Sequence, residues 1–210
     1  MTSVESGVAR DQILDAAEAL FARKGLDPTT IKEIGAAAGQ NPALLYYYFG
    51  SKEELYRAVL QRVMGGMVAR GGAAFDAATN PEAAIRALVA AQMEFVLTHP
   101  HAPRLMVREM IDHEARQAEA MLLQVAAGLF ERLCGVIEQG QREGRFRRDV
   151  EPRFAAISTI AQVVYFIVAR PAIGLFFRQG ARGVSEATAR QFGRHAGEFA
   201  VRALSKVEST

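Results

Sequence analysis

Apolar residues along the chain recur at three- and four-residue spacing, and nowhere do they alternate over a long stretch. That pattern predicts helices and no sheet. In residues 8–24, Ile13, Leu14, Ala17, Leu20 and Phe21 fall on one helical face, and Gly25 stands where such a helix stops. Leu26-Asp27-Pro28 reads as a turn. Thr29 or Thr30 then occupies the N-cap of a second, short helix over 31–38, with Glu33 three residues past Thr30 completing a capping box. Gly39 ends it. Asn41 caps a third short helix, with Pro42 at its first position, where a missing N–H does no harm. That helix runs to Phe49 and stops at Gly50. Ser51 and Glu54 form a second capping box and open a long fourth helix through Leu55, Val59, Val63 and Met67 to about residue 75.

Beyond Asn80-Pro81 the predicted helices lengthen. They cover 82–98, 104–112, 115–143, 153–177 and 185–206, with proline and glycine between them and Pro171 as a kink or break in the eighth. Residues 154–169 carry no charge. The stretch is shorter than the ~18–20 residues of a membrane span and contains Ser158, Thr159, Gln162 and Tyr165, so it reads as a helix buried on both sides. The expected architecture is all-α, about nine helices: a three-helix N-terminal domain over 1–55 and a larger helical domain over 56–210.

Composition narrows this little. The chain has 210 residues, 50% of them hydrophobic, with Lys+Arg 25 against Asp+Glu 23. That length holds one sizeable domain or two small ones. A lone cysteine, Cys134, excludes an intramolecular disulfide and a cysteine-clustered zinc site; it reads as a small buried hydrophobe. Residues 1–12 lack an apolar core of the kind a signal peptide needs, so a cytoplasmic location is expected.

The chemistry lies in the two short helices joined at Gly39. They read as a helix-turn-helix, whose second helix lies in the major groove of DNA while the first crosses the backbone. The crossing needs small residues, which Gly35, Ala36 and Ala38 supply, and inward anchors, which Ile31, Ile34, Leu45 and Phe49 supply. Helix N-termini favour phosphate. Thr29, Thr30 and Asn41 stand at such termini, and Lys52 opens the fourth helix.

The run ILDAAEALFARKGLDPTTIKEIGAAAGQNPALLYYYFGSKEELYRAVL resembles the DNA-binding region of the TetR family of bacterial repressors, in register and without a gap over about residues 10–60. The resemblance implies that Thr30, Tyr48 and Lys52 contact phosphates. It implies that Gln40, Asn41, Ala43, Leu44 and Tyr47 face base edges, with Tyr46 between the two roles. Pro42 and Leu44 stand where the family often carries polar residues, so few side chains here can hydrogen-bond to bases. Ala43 and Leu44 suit thymine methyls, Tyr47 and Gln40 suit hydrogen bonds, and DNA shape carries the remainder. Residues 1–60 hold six bases against eight acids, which predicts few phosphate contacts and a modest salt dependence.

The resemblance also implies a homodimer and a small-molecule pocket in the larger domain. The last two helices would form the dimer interface, with Phe166, Phe192, Ala196 and Phe199 as its candidates. Pocket candidates are polar or adaptable groups in apolar helices: Met67, Gln92, Phe95, His99, Arg104, Glu109, Met110, His113, Phe130, Gln162 and Tyr165. Ordinary core packing is the plainer account of each. Glu109 and His113 share a helical face, but the HExxH pattern is absent and no metal or cofactor is expected. Arg142, Arg145, Arg147, Arg148 and Arg153 read as a solvated loop rather than a nucleic-acid contact. Gly65 and Gly66 inside the fourth helix are candidates for a bend or an end. The resulting expectation is a non-enzymatic, ligand-responsive repressor on a pseudo-palindromic DNA operator, with no membrane partner. An activator, a ligand-binding protein with a degenerate head and an all-α enzyme are the alternatives.

Overall fold

The computed structural model describes residues 3–180 and 183–206. Among the described residues helices dominate, and the one strand-like pairing is an isolated antiparallel bridge between Phe146 and Ser205. In chain order the helices are α1 (Ser3–Lys24), α2 (Ile31–Ala38), α3 (Pro42–Phe49), α4 (Lys52–Asp76), α5 (Pro81–Thr98) and α6 (Ala102–Asp112). A short α7 (Glu119–Met121) passes through a π-helical turn, Leu122–Ala126, into α8 (Ala127–Arg142). Then come α9 (Pro152–Val168), α10 (Arg170–Phe176) and α11 (Glu186–Leu204). Two compact units result, residues 1–65 with 100–122, and residues 66–99 with 123–210.

The first unit is built on the apolar face of α1. Ile13, Leu14, Ala17 and Phe21 are buried against Ile34 of α2, Leu45 of α3 and Leu55, Tyr56, Val59 and Leu60 of α4. Phe21 and Tyr56 meet edge to face at 5.0 Å. This is why the unit takes ten residues of α4 beyond the expected boundary at 55: the buried face of α4 runs on through Val63 and Met64. It also takes α6, because Arg108 donates from Nε to the Ala22 carbonyl at 3.2 Å and from a terminal nitrogen to the Arg23 carbonyl at 3.1 Å. Those carbonyls lie at the C-terminal end of α1, where helix acceptors lack partners and a cation is favoured.

The second unit has its core where α5 and α11 pack together, with α8 and α9 alongside. Ile85, Leu88, Leu133, Ile137, Phe146, Ala156 and Leu204 form one buried cluster, and Val89, Met93, Val163, Phe166 and Ala196 another. Close approach of α11 to α5 depends on Gly193: a Cβ there would lie 3.0 Å from Cβ of Met93. Arg86 with Glu198 and Arg190 with Glu94 flank the contact. Cys134 is buried in the first cluster, and burial, with Glu131 nearby, holds its thiol pKa above the ordinary value.

Two expectations change here, and two stand. The seventh predicted helix starts at Glu119 rather than 115, because Glu114 and Ala115 take left-handed backbone conformations at φ 53° and 64° and form a turn. The eighth breaks at Pro171 as expected, into α9 and α10 bent by 77°, because proline has no N–H to continue the ladder. The chargeless stretch is not buried on both sides within the chain: Phe154, Ile157, Val164, Tyr165 and Val168 are exposed. The fourth helix runs to Asp76, as its apolar face predicts, and continues through Gly65 and Gly66, between which the boundary of the two units falls. By length and composition Glu119–Arg142 is long and apolar enough to cross a membrane; its Leu133, Cys134 and Ile137 lie in the core, and its Glu131 and Arg132 in ion pairs.

Candidate nucleic-acid interface

The turn between α2 and α3 is closed by backbone geometry. Gly39 is left-handed at φ 65°; its N–H donates to the Ala36 carbonyl, and the Gln40 N–H donates to the Gly35 carbonyl at 2.8 Å. A Cβ on Gly35 would sit 2.8 Å from the carbonyl oxygen of Gln40, so the crossing tolerates only glycine at that point. Asn41 caps α3 by accepting the Ala43 N–H on Oδ1 at 2.9 Å. The capping box of α2 is complete: Thr30 Oγ1 accepts the Glu33 N–H, and Glu33 Oε2 accepts the Thr30 N–H. An ion pair with Lys24, together with the Thr30 hydrogen bonds, holds the Glu33 carboxyl well below its usual range, at about 2.

α3 buries Leu45 and Phe49. The opposite stripe, at i, i+3 and i+4, is Ala43, Tyr46 and Tyr47, all exposed; Tyr47 is 80% exposed. Tyr48 is half-buried, edge to face with Tyr47 at 5.3 Å. Leu44 is half-buried as well. Asn41 and Thr30 are exposed at their helix ends.

Two expected contacts are repositioned. Thr29 is fully buried and its hydroxyl donates to the Gly25 carbonyl at 2.6 Å, so it closes the C-terminal end of α1 and is withdrawn from any phosphate. Gln40 is half-buried and its Nε2 donates to Gln12 Oε1 of α1 at 2.9 Å, which commits half of its amide. Lys52 donates to the carbonyls of Leu26 and Asp27 at 2.9 and 3.1 Å. An ammonium has three donors, so this leaves one for an outside phosphate.

The balance of six bases and eight acids also takes a different form once folded. Asp15 and Glu18 pair with Arg62, Glu33 with Lys24 and Glu54 with Arg57, so half of the eight acids are neutralised locally. Of the six bases, Arg10, Arg23, Lys32 and Lys52 have no ion pair among the described residues. Arg10 lies on α1 with its guanidinium 5.3 Å above the Phe49 ring at the end of α3, and Lys32 is exposed on α2. The sequence carries little signal for Arg10 and Lys32: Arg10 adjoins the buried Ala9, and Lys32 lies two positions from the buried Ile34.

The expected pocket residues are scattered. Arg104, Glu109, Met110 and His113 belong to the first unit. There Glu109 is fully buried and its Oε1 accepts the N–H groups of Gln117 and Ala118. Burial and the Glu109 charge keep the nearby Tyr56 phenol neutral, well above its ordinary pKa. His113 is half-buried with its ring 5.9 Å from Tyr56, and Arg104 and Met110 face solvent. In the second unit Phe95 stacks on His99 at 4.3 Å, Phe130 lies under Arg153, Met67 and Gln162 are half-buried, and the buried Oε1 of Gln92 has no partner. Tyr165 is exposed on α9. A cavity of about 400 Å³ does open in this unit, between Phe75, Pro81 and Ala84 on one side and Arg132, Val136 and Gln139 on the other, and none of the expected residues lines it.

The dimer candidates divide likewise. Phe166 is buried and stacks on Phe192 at 4.0 Å, and Ala196 is fully buried, so these three belong to the subunit's own core. Phe199 is exposed. The arginines around 142–153 are mostly spoken for: Arg142 pairs with Glu138, Arg145 with Glu82 and Glu143, Arg147 with Asp149 and Arg153 with Glu131.

Comparison with known proteins agrees with this geometry. A family model described as bacterial regulatory proteins, tetR family, matches residues 13–59, and one described as tetracyclin repressor-like, C-terminal domain, matches residues 81–198. The chain is 33% identical over 159 residues to the HTH-type transcriptional repressor NicS of Pseudomonas putida, covering 75% of this chain and 74% of that one. It is 29% identical over 154 residues to the HTH-type transcriptional repressor KstR2 of Rhodococcus jostii, covering 73% and 75%. Among solved structures, the ketosteroid transcriptional regulator KstR2 of Mycobacterium tuberculosis shares the fold at a TM-score of 0.69 and 24% identity, over 94% of this chain and 95% of that one. A transcriptional regulator from Saccharomonospora viridis in complex with choline shares it at 0.74 and 20% identity, over 95% and 98%.

Proposed function

We propose, from the premise that this chain belongs to the TetR family of bacterial regulatory proteins, that it is a repressor released from its operator by a small molecule. The protein is a DNA-binding transcriptional regulator and not an enzyme. Repression is the reading that the names of NicS and KstR2 support. A homodimer places one α3 in each half of a pseudo-palindromic operator, in successive major grooves about 34–36 Å apart. The cytoplasm is its proposed location.

The observation that carries the dimer is the open face of α9. Phe154, Ile157, Val164, Tyr165 and Val168 leave large apolar surface in water, with Phe199 exposed on α11. A monomer rarely exposes so much apolar surface to solvent without a use for it, and a second copy of the same face would cover it.

A small apolar or amphipathic effector is proposed to act on the second unit. Gln92 is its anchor there: its buried Oε1 lacks a partner, and an effector with a hydrogen-bond donor would supply one. α4 is the coupling element, since it starts at Lys52 beside the recognition helix and continues past Gly65 and Gly66 into the second unit. A change in its tilt alters the spacing of the two recognition helices. By linkage, effector and DNA weaken each other's binding by the same factor.

The test is fluorescence anisotropy of the purified protein on duplex DNA from its own upstream region, against a shuffled duplex, at two salt concentrations. Tight binding to the genuine fragment alone supports the reading, and that complex then serves to screen for release by small molecules. Equal, weak binding to both duplexes would reject a specific regulator of its own promoter.

A further inference from the structure

The outward stripe of α3 lacks every side chain that reads a base by a two-pronged hydrogen bond. Guanine is read in that way by Arg or Lys, and adenine by Asn or Gln. None of the four occurs in Pro42–Phe49. The two amides that flank the helix are committed: Asn41 Oδ1 accepts the Ala43 N–H, and Gln40 Nε2 donates to Gln12. Each amide keeps a second N–H or lone pair, but the bond it already makes turns it toward the protein, so neither is held ready for a two-pronged contact with adenine.

What α3 does present is apolar. Ala43, Tyr46 and Tyr47 form one stripe, with Tyr46 55% and Tyr47 80% exposed. The Tyr47 ring is braced edge-on by Tyr48 at 5.3 Å, which limits what it loses on docking. The apolar group on the floor of the major groove is the thymine methyl. A tyrosine hydroxyl adds one hydrogen bond that either a donor or an acceptor on a base satisfies, so it discriminates weakly.

We propose that this protein selects its operator through thymine methyl groups packed against Ala43, Tyr46 and Tyr47, so that each half-site carries thymines, on one strand or the other, beneath α3. The proposal rests on the DNA-binding reading and names the chemistry that the bound DNA must offer. Guanine enters the half-site by backbone fit alone and is not specified there.

The experiment has two stages. Full-length protein selects duplexes from a randomised library, and the recovered sites are remade with deoxyuridine in place of thymidine, which removes the methyl and keeps every base-pair hydrogen bond. Thymine should be fixed under each α3. Each methyl removed should weaken binding about threefold to fourfold, the worth of one buried methyl, and removal from both half-sites should weaken it about tenfold. Tyr47→Phe should keep the sensitivity to deoxyuridine, because the ring body remains. Tyr47→Ala, at a position too exposed to disturb the fold, should lose part of it. Half-sites fixed by G·C pairs, or full affinity on deoxyuridine duplexes, would overturn the proposal and leave sequence-specific binding standing. Enrichment of no duplex at all would remove the DNA-binding reading, and the proposal with it.

Discussion

The Thr29 hydroxyl donates to the Gly25 carbonyl oxygen at 2.6 Å, and the side chain has no exposed surface. Its neighbour Thr30 is exposed and caps α2. Two adjacent threonines thus do separate jobs. Thr29→Val should destabilise the protein by about 1–3 kcal/mol, because it leaves a buried carbonyl without its donor. Operator affinity of the folded protein should stay within twofold of the parent. Urea titration and anisotropy check the two halves, and an intact midpoint with lost DNA affinity would return Thr29 to the phosphate backbone.

Arg10 and Lys32 are cations of the head with no ion pair among the described residues. Each phosphate contact adds about 0.9 to the slope of log affinity against log salt. Arg10→Ala should therefore lower the slope by about 2 for a dimer, with Lys32→Ala behaving alike and sequence preference unchanged. Binding isotherms at four salt concentrations measure it. An unchanged slope for Arg10→Ala would leave its stacking on Phe49 as a packing contact only.

Gly35 faces the carbonyl oxygen of Gln40 too closely for any side chain. Gly35→Ala should destabilise by about 1–3 kcal/mol through overpacking and abolish specific DNA binding, since α3 can no longer be held at its angle to α2. Gly39→Ala meets open space and should cost only the left-handed backbone penalty of about 1–2 kcal/mol. Equal effects in thermal melts would contradict the clash.

Glu33 has a folded pKa of about 2 against an ordinary 4.5, set first by Lys24 and then by Thr30. A depressed carboxyl contributes stability that is present above its unfolded pKa and lost as pH falls through its folded one. The contribution should fade between about pH 4.5 and 2, and Glu33→Gln should flatten the melting-temperature profile in that window and nowhere above it. Salt should reduce the difference, because the pair is partly exposed. An unaltered profile would mean that the pair is not formed in solution.

Val164 and Tyr165 are exposed on α9. Val164→Glu with Tyr165→Glu should yield a folded monomer by light scattering, with operator affinity lowered by at least a hundredfold through the loss of bivalent binding. A dimer that persists would locate the interface elsewhere on the chain.

Local signals in the sequence were sufficient for the head. The capping residues Thr30, Asn41 and Ser51 and the stops at Gly39 and Gly50 act within one helical turn, and the helices start and end where those residues lie. The turn at Glu114 and Ala115 carries no local signal, because neither residue is a turn former; the fully buried Glu109, accepting the N–H groups of Gln117 and Ala118, holds the chain there. The second unit was less legible for the same reason. Its partners lie far apart in sequence, as Gly193 does from Met93.

Period and capping need no distant partner, so the short helices of the head and their caps and stops were legible along the chain, and the motif string carried the family. Tertiary structure alone decided which of two adjacent threonines is buried, that Gln40 is half spent on Gln12, and that Phe166 serves the subunit core while Tyr165 stands free. Burial and hydrogen-bond commitment are properties of the space between elements, and a repeat along one helix records which residues share a face but not what that face will meet.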